Sequence, residues 1–234
     1  MEGNHCCCVR NATDPKKACV SLVPIFNHLE GEQLSEIMGK ISSVSFQKGE
    51  IIYHAGAKAD SLYIVRDGKI KIYRLSESGK EQLVRLLTPG DFTGELALFR
   101  ETVHESYAEA MVDTQVCMIK RSDLQELLLK YPSISLKILA EFSRRLEVSE
   151  KQATLFATEK VEKRIALFLA ECINSDQKIK EFKLPMSKKD MASYLGTTPE
   201  TLSRKLTDLE EAGYIEQLPH RKIKINDLEG LLLI

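Results

Sequence analysis

Three absences in this 234-residue sequence each remove a class of function. No apolar run reaches the length a membrane-spanning helix requires, and Met1-Glu2-Gly3-Asn4-His5-Cys6 lacks the apolar stretch of a signal peptide. The expectation is a cytoplasmic protein with no membrane partner. An excess of charge is missing as well, since the net charge is -1. Contact with nucleic acid must therefore come from locally arranged cations rather than a global basic field. Catalytic signatures are the third absence: no paired catalytic carboxylates, phosphate-cradling loop, Gly-x-Ser-x-Gly or metalloprotease helix motif. His5, His28, His54, His104 and His220 are scattered without ligand spacing, and His54 or His104 reads as an ordinary surface or turn residue. The chain does not read as an enzyme.

What is present is an ordinary globular composition, 43% hydrophobic and 29% charged, long enough for two domains. The six cysteines are unevenly placed. Cys6, Cys7, Cys8 and Cys19 crowd a polar arm, while Cys117 and Cys172 lie far along the chain. Buried core cysteines would be spread among apolar neighbours, so the cluster points to redox or metal chemistry. A static disulfide framework is not expected in a reducing compartment.

The hydrophobic period changes twice along the chain. Leu34, Ile37, Met38 and Ile41 predict a short helix over Gly31–Ile41. From Val44 to Lys120 the pattern is short β segments: Ile51–Tyr53, Leu62–Val65, Ile70–Tyr73, Leu83–Leu87 and Val116–Ile119. Gly49, Gly56, Gly68, Gly79 and Gly90 punctuate them, which predicts a sandwich or barrel rather than βαβ units. Pro132 to Thr158 then reads as one long helix. Leu139, Phe142, Leu146, Ser149, Ala153 and Phe156 follow 3-4-3-4-3 spacing, the pattern of a helix-pairing seam. At about 26 residues this helix would be about 39 Å long, more than one small domain covers. A dimer seam is therefore preferred to packing on the chain's own β-domain. Glu159–Asn174 reads as another amphipathic helix, with Cys172 on its apolar face as a core residue.

The most specific local pattern is a helix-turn-helix over Ser187–Gly213. Ser187 with Asp190 forms a capping-box variant, Thr198 caps the next helix, Pro199 takes its first position, and Gly213 ends it. Ala192, Gly196 and Leu202 carry the packing of the two helices, and Leu202, Leu206 and Leu209 make the inward face. Glu200, Ser203 and Arg204 stand at i, i+3 and i+4 on another face, in the first turns. Arg204 can bind guanine O6 and N7 bidentately, Glu200 can accept from a cytosine amino group, and Ser203 can adapt to either. Lys188, Lys189, Thr198, Thr201 and Lys205 are candidate phosphate contacts. Tyr214–Glu216 and Lys222–Ile225 flank a turn as a β-hairpin wing.

In this order the elements resemble the cyclic AMP receptor protein/FNR superfamily, over roughly residues 22–230. The resemblance rests on Phe46-Gln47-Lys48-Gly49, Gly56, Ser61–Val65, Gly68 and Pro89–Leu96 in the first half. In the second it rests on Met191–Gly196 and Glu200–Arg204. It implies an α+β fold: a β-roll (jelly roll) of cyclic-nucleotide-binding type, a long dimerisation helix and a winged helix-turn-helix. The expected organisation is a Cys-rich arm (1–20), a sensory β-roll (21–130), a dimerisation helix (131–158) and a DNA-binding domain (159–234).

Members that bind cyclic AMP carry an Arg-Ser pair for the cyclic phosphate, where this chain has His104-Glu105-Ser106. A carboxylate there would repel a phosphate diester, so cyclic AMP is not the expected ligand, and Gly94 and Glu95 read as turn and strand-end residues. The Glu-x-x-Ser-Arg pattern resembles the FNR branch. That implies a homodimer on double-stranded DNA, at a palindrome like TTGAT and ATCAA separated by four base pairs, with RNA polymerase as a further partner.

The family's oxygen-labile [4Fe-4S] cluster uses N-terminal cysteines and one in the β-domain, whose position Cys117 matches. Cys19 lies several residues too far upstream, and Cys6-Cys7-Cys8 replaces the usual Cys-x-x-Cys. Three readings stay open at this point: a cluster, a reversible disulfide between the arm and Cys117, or a passive arm. Zinc has no Cys-x-x-Cys or His pair behind it. A regulator with passive cysteines that senses haem or a small molecule in the β-roll also remains open, as does a cyclic-nucleotide-binding adaptor that does not touch DNA.

Overall fold

The computed structural model describes residues 20, 23–173 and 181–234. Cys6, Cys7, Cys8 and Cys19, and with them all of the expected arm but Val20, lie outside the described residues. The chain divides into two compact units. One holds the residues up to Leu75 together with Val84–Arg145; the other holds Ser76–Leu83 and Leu146–Ile234.

In chain order the first elements are α1 (Gly31–Lys40), β1 (Ile41–Phe46), β2 (Ile51–Tyr53), β3 (Lys58–Ala59), β4 (Ser61–Asp67), β5 (Ile70–Leu75), β6 (Glu81–Leu87) and β7 (Phe92–Thr93). A 3-10 turn (Glu95–Leu98), β8 (Thr102–Val103), β9 (Tyr107–Ala110), β10 (Thr114–Lys120), α2 (Arg121–Lys130) and α3 (Pro132–Thr158) follow. The strands form a sheet ordered β1-β10-β4-β7, a second ordered β2-β9-β5-β6, and the small pair β3-β8. The pairings of β1 and β4 with β10, β2 and β5 with β9, β4 with β7 and β3 with β8 are antiparallel, as expected for a roll built without βαβ crossovers.

Side chains alternate across a strand, so β4 and β10 bury both faces and read as nearly unbroken apolar runs. Leu62, Ile64, Cys117 and Ile119 join one core with Ile37 of α1, Leu124 and Leu127 of α2, and Ile134 and Ile138 of α3. Val65 and Val116 belong to the other core, with Tyr53, Ile70, Ile72, Leu87 and Ala108. As neighbours on one strand, Val116 and Cys117 serve opposite faces, and a register shift falls just before them, between Gln115 and Val116.

All five expected strands are found, inside β2, β4, β5, β6 and β10. The full extent of β1 was less legible because it is an edge strand whose residues from Ser42 onward are largely exposed, leaving no apolar alternation. The helix expected to reach Ile41 stops at Lys40, and Ile41 opens β1.

The long helix α3 spans 27 residues without interruption. Its first turns are committed to the β-roll through Ile134 and Ile138, both fully buried. Of the predicted seam, Leu139, Leu146, Ser149, Ala153 and Phe156 are exposed in the single chain, and Phe142 is half-buried. The helix therefore carries two stripes, one for its own core and one left largely uncovered by the described residues.

Candidate nucleic-acid interface

The second unit is assembled from α4 (Val161–Glu171), β11 (Glu181–Lys183), α5 (Lys188–Tyr194), α6 (Pro199–Glu211), β12 (Ile215–Leu218), β13 (Lys222–Ile225) and α7 (Leu228–Leu233). Local chemistry explains where α5 and α6 begin. Ser187 Oγ accepts from Asp190 N–H at 3.1 Å and donates to the Asp190 carboxylate at 2.6 Å. Thr198 Oγ1 accepts from Thr201 N–H at 3.2 Å, and Pro199 occupies the first turn. These caps satisfy amide groups that no helix partner reaches. Gly196 adopts φ 66, and a Cβ there would lie 3.3 Å from Arg164 Nη1, so the turn between the helices favours glycine.

Leu202, Leu206 and Leu209 are buried, which fixes the rotation of α6 about its axis. Glu200, Ser203 and Arg204 consequently face solvent, and neither Glu200 nor Arg204 has an ion-pair partner among the described residues. Lys188, Lys189 and Thr198 are exposed and Thr201 is half-buried. Lys205 departs from the expectation of an uncommitted cation. It is held 2.9 Å from Asp208 and 3.3 Å from Glu162, because the i, i+3 spacing and the packing of α4 bring two carboxylates to it.

A connection that the sequence did not announce fixes the wing to α5 and α6. Gln217 of β12 donates from its backbone N–H and its side-chain amide to the two oxygens of Glu210, at 2.6 and 2.9 Å. Its amide oxygen accepts from Lys188 at 2.8 Å. The three-stranded sheet β11-β13-β12 then carries a tight turn in which His220 and Arg221 take φ 60 and 63. Two consecutive non-glycine residues in the left-handed region are uncommon, and Leu184 N–H donating to the Arg221 carbonyl at 2.9 Å helps hold them. The only available signal for Gln217 was its place in the hairpin.

Residues 43–131 match the cyclic nucleotide-binding domain model, and residues 163–234 match the Crp-like helix-turn-helix domain. The "Probable transcriptional regulator flp" of Lacticaseibacillus casei is 35% identical over 214 residues, covering 92% of this chain and 96% of that protein. The chain belongs to the CRP/FNR superfamily. It is a DNA-binding transcription regulator, and both domain matches and the relatives' names describe regulation rather than catalysis. The "Anaerobic regulatory protein" of Haemophilus influenzae is 33% identical over 210 residues, 88% of this chain and 80% of that one. Among solved structures, FixK2 from Bradyrhizobium japonicum superposes with a TM-score of 0.70 at 29% identity, over 82% of this chain and 95% of that one.

The β-roll of this CRP/FNR regulator contains a cavity of about 80 Å³, lined by Tyr53, Arg85, Gly94, Glu95, His104 and Ser106 among others. Two expectations are corrected here. His104 is no surface residue: it is 7% exposed and stacks on Tyr53 with ring centroids 3.7 Å apart. Burial lowers its pKa, so the neutral ring is favoured. Glu95 is not a strand end but opens the 3-10 turn, nearly buried, where it meets Arg145 at 2.6 Å and Arg85 at 3.1 Å. Its partner on α3 lies far along the chain, beyond the reach of any local pattern. Gly94 is a turn residue as expected; it adopts φ 85, and a Cβ would meet the Ser61 carbonyl at 2.3 Å. Glu95 Oε2 and His104 Nε2 are buried without a hydrogen-bond partner among the described residues. Glu105 is more than half exposed and pairs with Arg74 at 2.6 Å.

On α3, Glu141 binds Arg144 and Arg145 at 2.7 Å each. The hydrogen bond from Arg144, then those of Arg145, holds its carboxyl at a pKa of about 2. Cys117 is fully buried on the helix-facing side of its sheet and is disulfide-bonded. A sulfur in a disulfide is not a thiolate, so Cys117 in this state does not fit a cluster ligand. Among the described residues no group of three His, Cys, Asp or Glu side chains is placed to hold a metal. Cys172 is half-buried, and burial pushes its thiol up to about 11, which suits a packed residue rather than a reactive one. No helix among the described residues is long and apolar enough to cross a membrane.

Proposed function

We propose that this regulator binds, as a homodimer, a palindrome like TTGAT and ATCAA separated by four base pairs, and that its DNA affinity follows the redox state of Cys117. Glu200, Ser203 and Arg204 would read base edges, with Lys188, Lys189, Thr198 and Thr201 on phosphates. Lys205 could join them only by leaving Asp208 and Glu162. The observation that carries this reading is the set Glu200, Ser203 and Arg204, exposed on a helix capped by Thr198 and rotated into place by three buried leucines. The exposed 3-4 stripe of α3 supports pairing through Leu139, Phe142, Leu146, Ser149, Ala153 and Phe156. The same division of labour favours an arm over 1–20, a sensory β-roll over 21–130, a dimerisation helix over 131–158 and a DNA-binding domain over 159–234. RNA polymerase is the partner that this class of regulator would meet on DNA.

For the signal, the disulfide state of Cys117 favours a dithiol switch over a [4Fe-4S] cluster. Two thiols joining in an S–S bond release two protons and two electrons to a thiol oxidant. Cys117 shares its core with Ile134 and Ile138, so packing changes at its sulfur reach the long helix directly. The name of the Haemophilus influenzae relative is consistent with an oxygen-linked role. Cyclic AMP is not the effector in this reading, since Arg74 and Arg85 are each paired with a carboxylate at the cavity. The two unpartnered atoms there favour, as a second reading, a small hydrogen-bonding ligand.

The test is titration of a labelled palindrome with protein purified without oxygen, before and after a thiol oxidant, using wild type and Cys117→Ser. Affinity that changes on oxidation in wild type and not in Cys117→Ser supports the switch. Equal changes in both sink it. Visible absorbance near 400 nm with iron and acid-labile sulfide, bleached by air, would replace the dithiol switch with a cluster.

A further inference from the structure

The second unit contains a cavity of about 360 Å³ between the last turns of α3, the helix α4 and the end of α5. Its volume lies in the range of small-molecule sites. Leu155, Leu167, Phe168 and Leu195 form much of its apolar wall.

The cavity and the 3-4 stripe use different faces of α3. Each residue turns the helix face by about 100°, so Val148, Gln152 and Leu155 look about 100° away from Ser149, Ala153 and Phe156. Of the stripe, only Phe156 lines the cavity. A second copy seated on the stripe covers another side of the helix.

One charged group within this wall is uncommitted. Arg164 is half-buried, and its Nε is buried with no hydrogen-bond partner among the described residues. Its guanidinium carbon lies 5.1 Å from the Phe156 ring centroid, and no carboxylate among the described residues pairs with it. A buried charged donor left without an acceptor is costly, so an acceptor brought to it is favoured. The other charged groups lining the cavity, Lys151 and Glu171, are exposed, and Lys151 already pairs with Glu147 at 2.6 Å. An apolar wall with one inner cation complements an apolar molecule that carries a single carboxylate. A second carboxylate would meet the like charge of Glu171.

We propose that this cavity binds a small monocarboxylate with an apolar body. Arg164 takes the carboxylate, and Leu155, Leu167, Phe168 and Leu195 take the body. The site lies outside the β-roll and does not involve Cys117, so it goes beyond the redox reading given above. Arg164 Nη1 also lies against the turn of the helix-turn-helix, 3.3 Å from where a Cβ on Gly196 would stand. A carboxylate that draws the guanidinium away bears on that turn, and through it on the start of α6.

Calorimetric titration of the full chain with phenylbutyrate tests this, with the uncharged phenylbutyramide as control. Wild type is compared with Arg164→Gln and with Leu155→Trp, which fills the cavity. The expected result is saturable binding of phenylbutyrate by wild type. It should weaken at least tenfold in each variant, and the amide should bind wild type at least tenfold more weakly than the acid. Equal binding by all three proteins, or equal binding of acid and amide, overturns the proposal. No saturable binding by wild type at millimolar phenylbutyrate overturns it too. If Leu155→Trp in that case also changes the oligomeric state seen by sedimentation, a second copy occupies the cavity instead. Should Arg164→Gln fold poorly by far-UV circular dichroism, Leu155→Trp and the amide decide.

Discussion

The helix-turn-helix and the β-roll handle their charged side chains in opposite ways. On α6, Glu200 and Arg204 face outward and have no ion-pair partner among the described residues. Where α3 meets the β-roll, Glu95, Arg145 and Glu141 are committed to one another with little exposure, and Arg85, 31% exposed, joins at Glu95. Charges in water are available to another molecule and add little to stability. Charges taken out of water hold the fold, and removing one strands its partner. The comparison therefore separates charged residues left available to another molecule from charged residues engaged within the β-roll unit.

The largest expected effect breaks the first side of that comparison. Arg204→Ala should weaken binding to the palindrome on the order of a hundredfold or more, since a bidentate base contact contributes about 1–3 kcal/mol and is lost twice in a two-fold complex. Its thermal stability should stay within about 0.5 kcal/mol of wild type, as for other surface changes. Anisotropy titration and a melting curve on the same sample read both quantities.

Arg145→Met probes the other side. It removes one of the two arginines at Glu95, and urea unfolding should show a loss of about 2–4 kcal/mol, somewhat less than a fully orphaned buried charge because Arg85 remains. A loss under about 0.5 kcal/mol would mean that the pair is only a surface contact.

These two sites also differ in how far the sequence revealed them. The exposed polar face of α6 followed from local rules: Thr198 before Pro199, leucines at 202, 206 and 209, and polar residues at the complementary spacing. The strands were legible wherever both faces of a β strand are apolar. Glu95 was not, because its partner Arg145 is 50 residues away and nothing in either neighbourhood names the other. His104 was misread for a related reason. Its burial depends on stacking against Tyr53, which pairing of β2 with β9 brings close only after the roll has closed. The cysteine arm lies outside the described residues, so only Cys117 carries that part of the reading.

Smaller effects sharpen the contrast. Thr198→Ala should cost about 1 kcal/mol in unfolding through loss of the cap, together with a modest loss of DNA affinity as the start of α6 frays. Acid should act on the β-roll first. His104 has a folded pKa below its ordinary 6.5, so the unfolded chain binds the proton more readily. Stability is then fully present above pH 6.5 and declines as pH falls from there toward the folded value. His104→Phe should flatten that slope in pH-dependent melting. Glu141, held at about 2, contributes stability that is complete above its ordinary value near 4.5 and fades between 4.5 and 2. Glu141→Gln should remove that lower slope while leaving the one due to His104.

The central claim is that two recognition helices, held at one separation by pairing of the long helices, read a two-fold site. It is tested most directly by titrating the protein onto the palindrome and onto the same palindrome with five base pairs added between its halves. That insertion turns one half-site by about half a helical turn. The account predicts that affinity falls to that of a single half-site. Equal affinity for the two DNAs would contradict it.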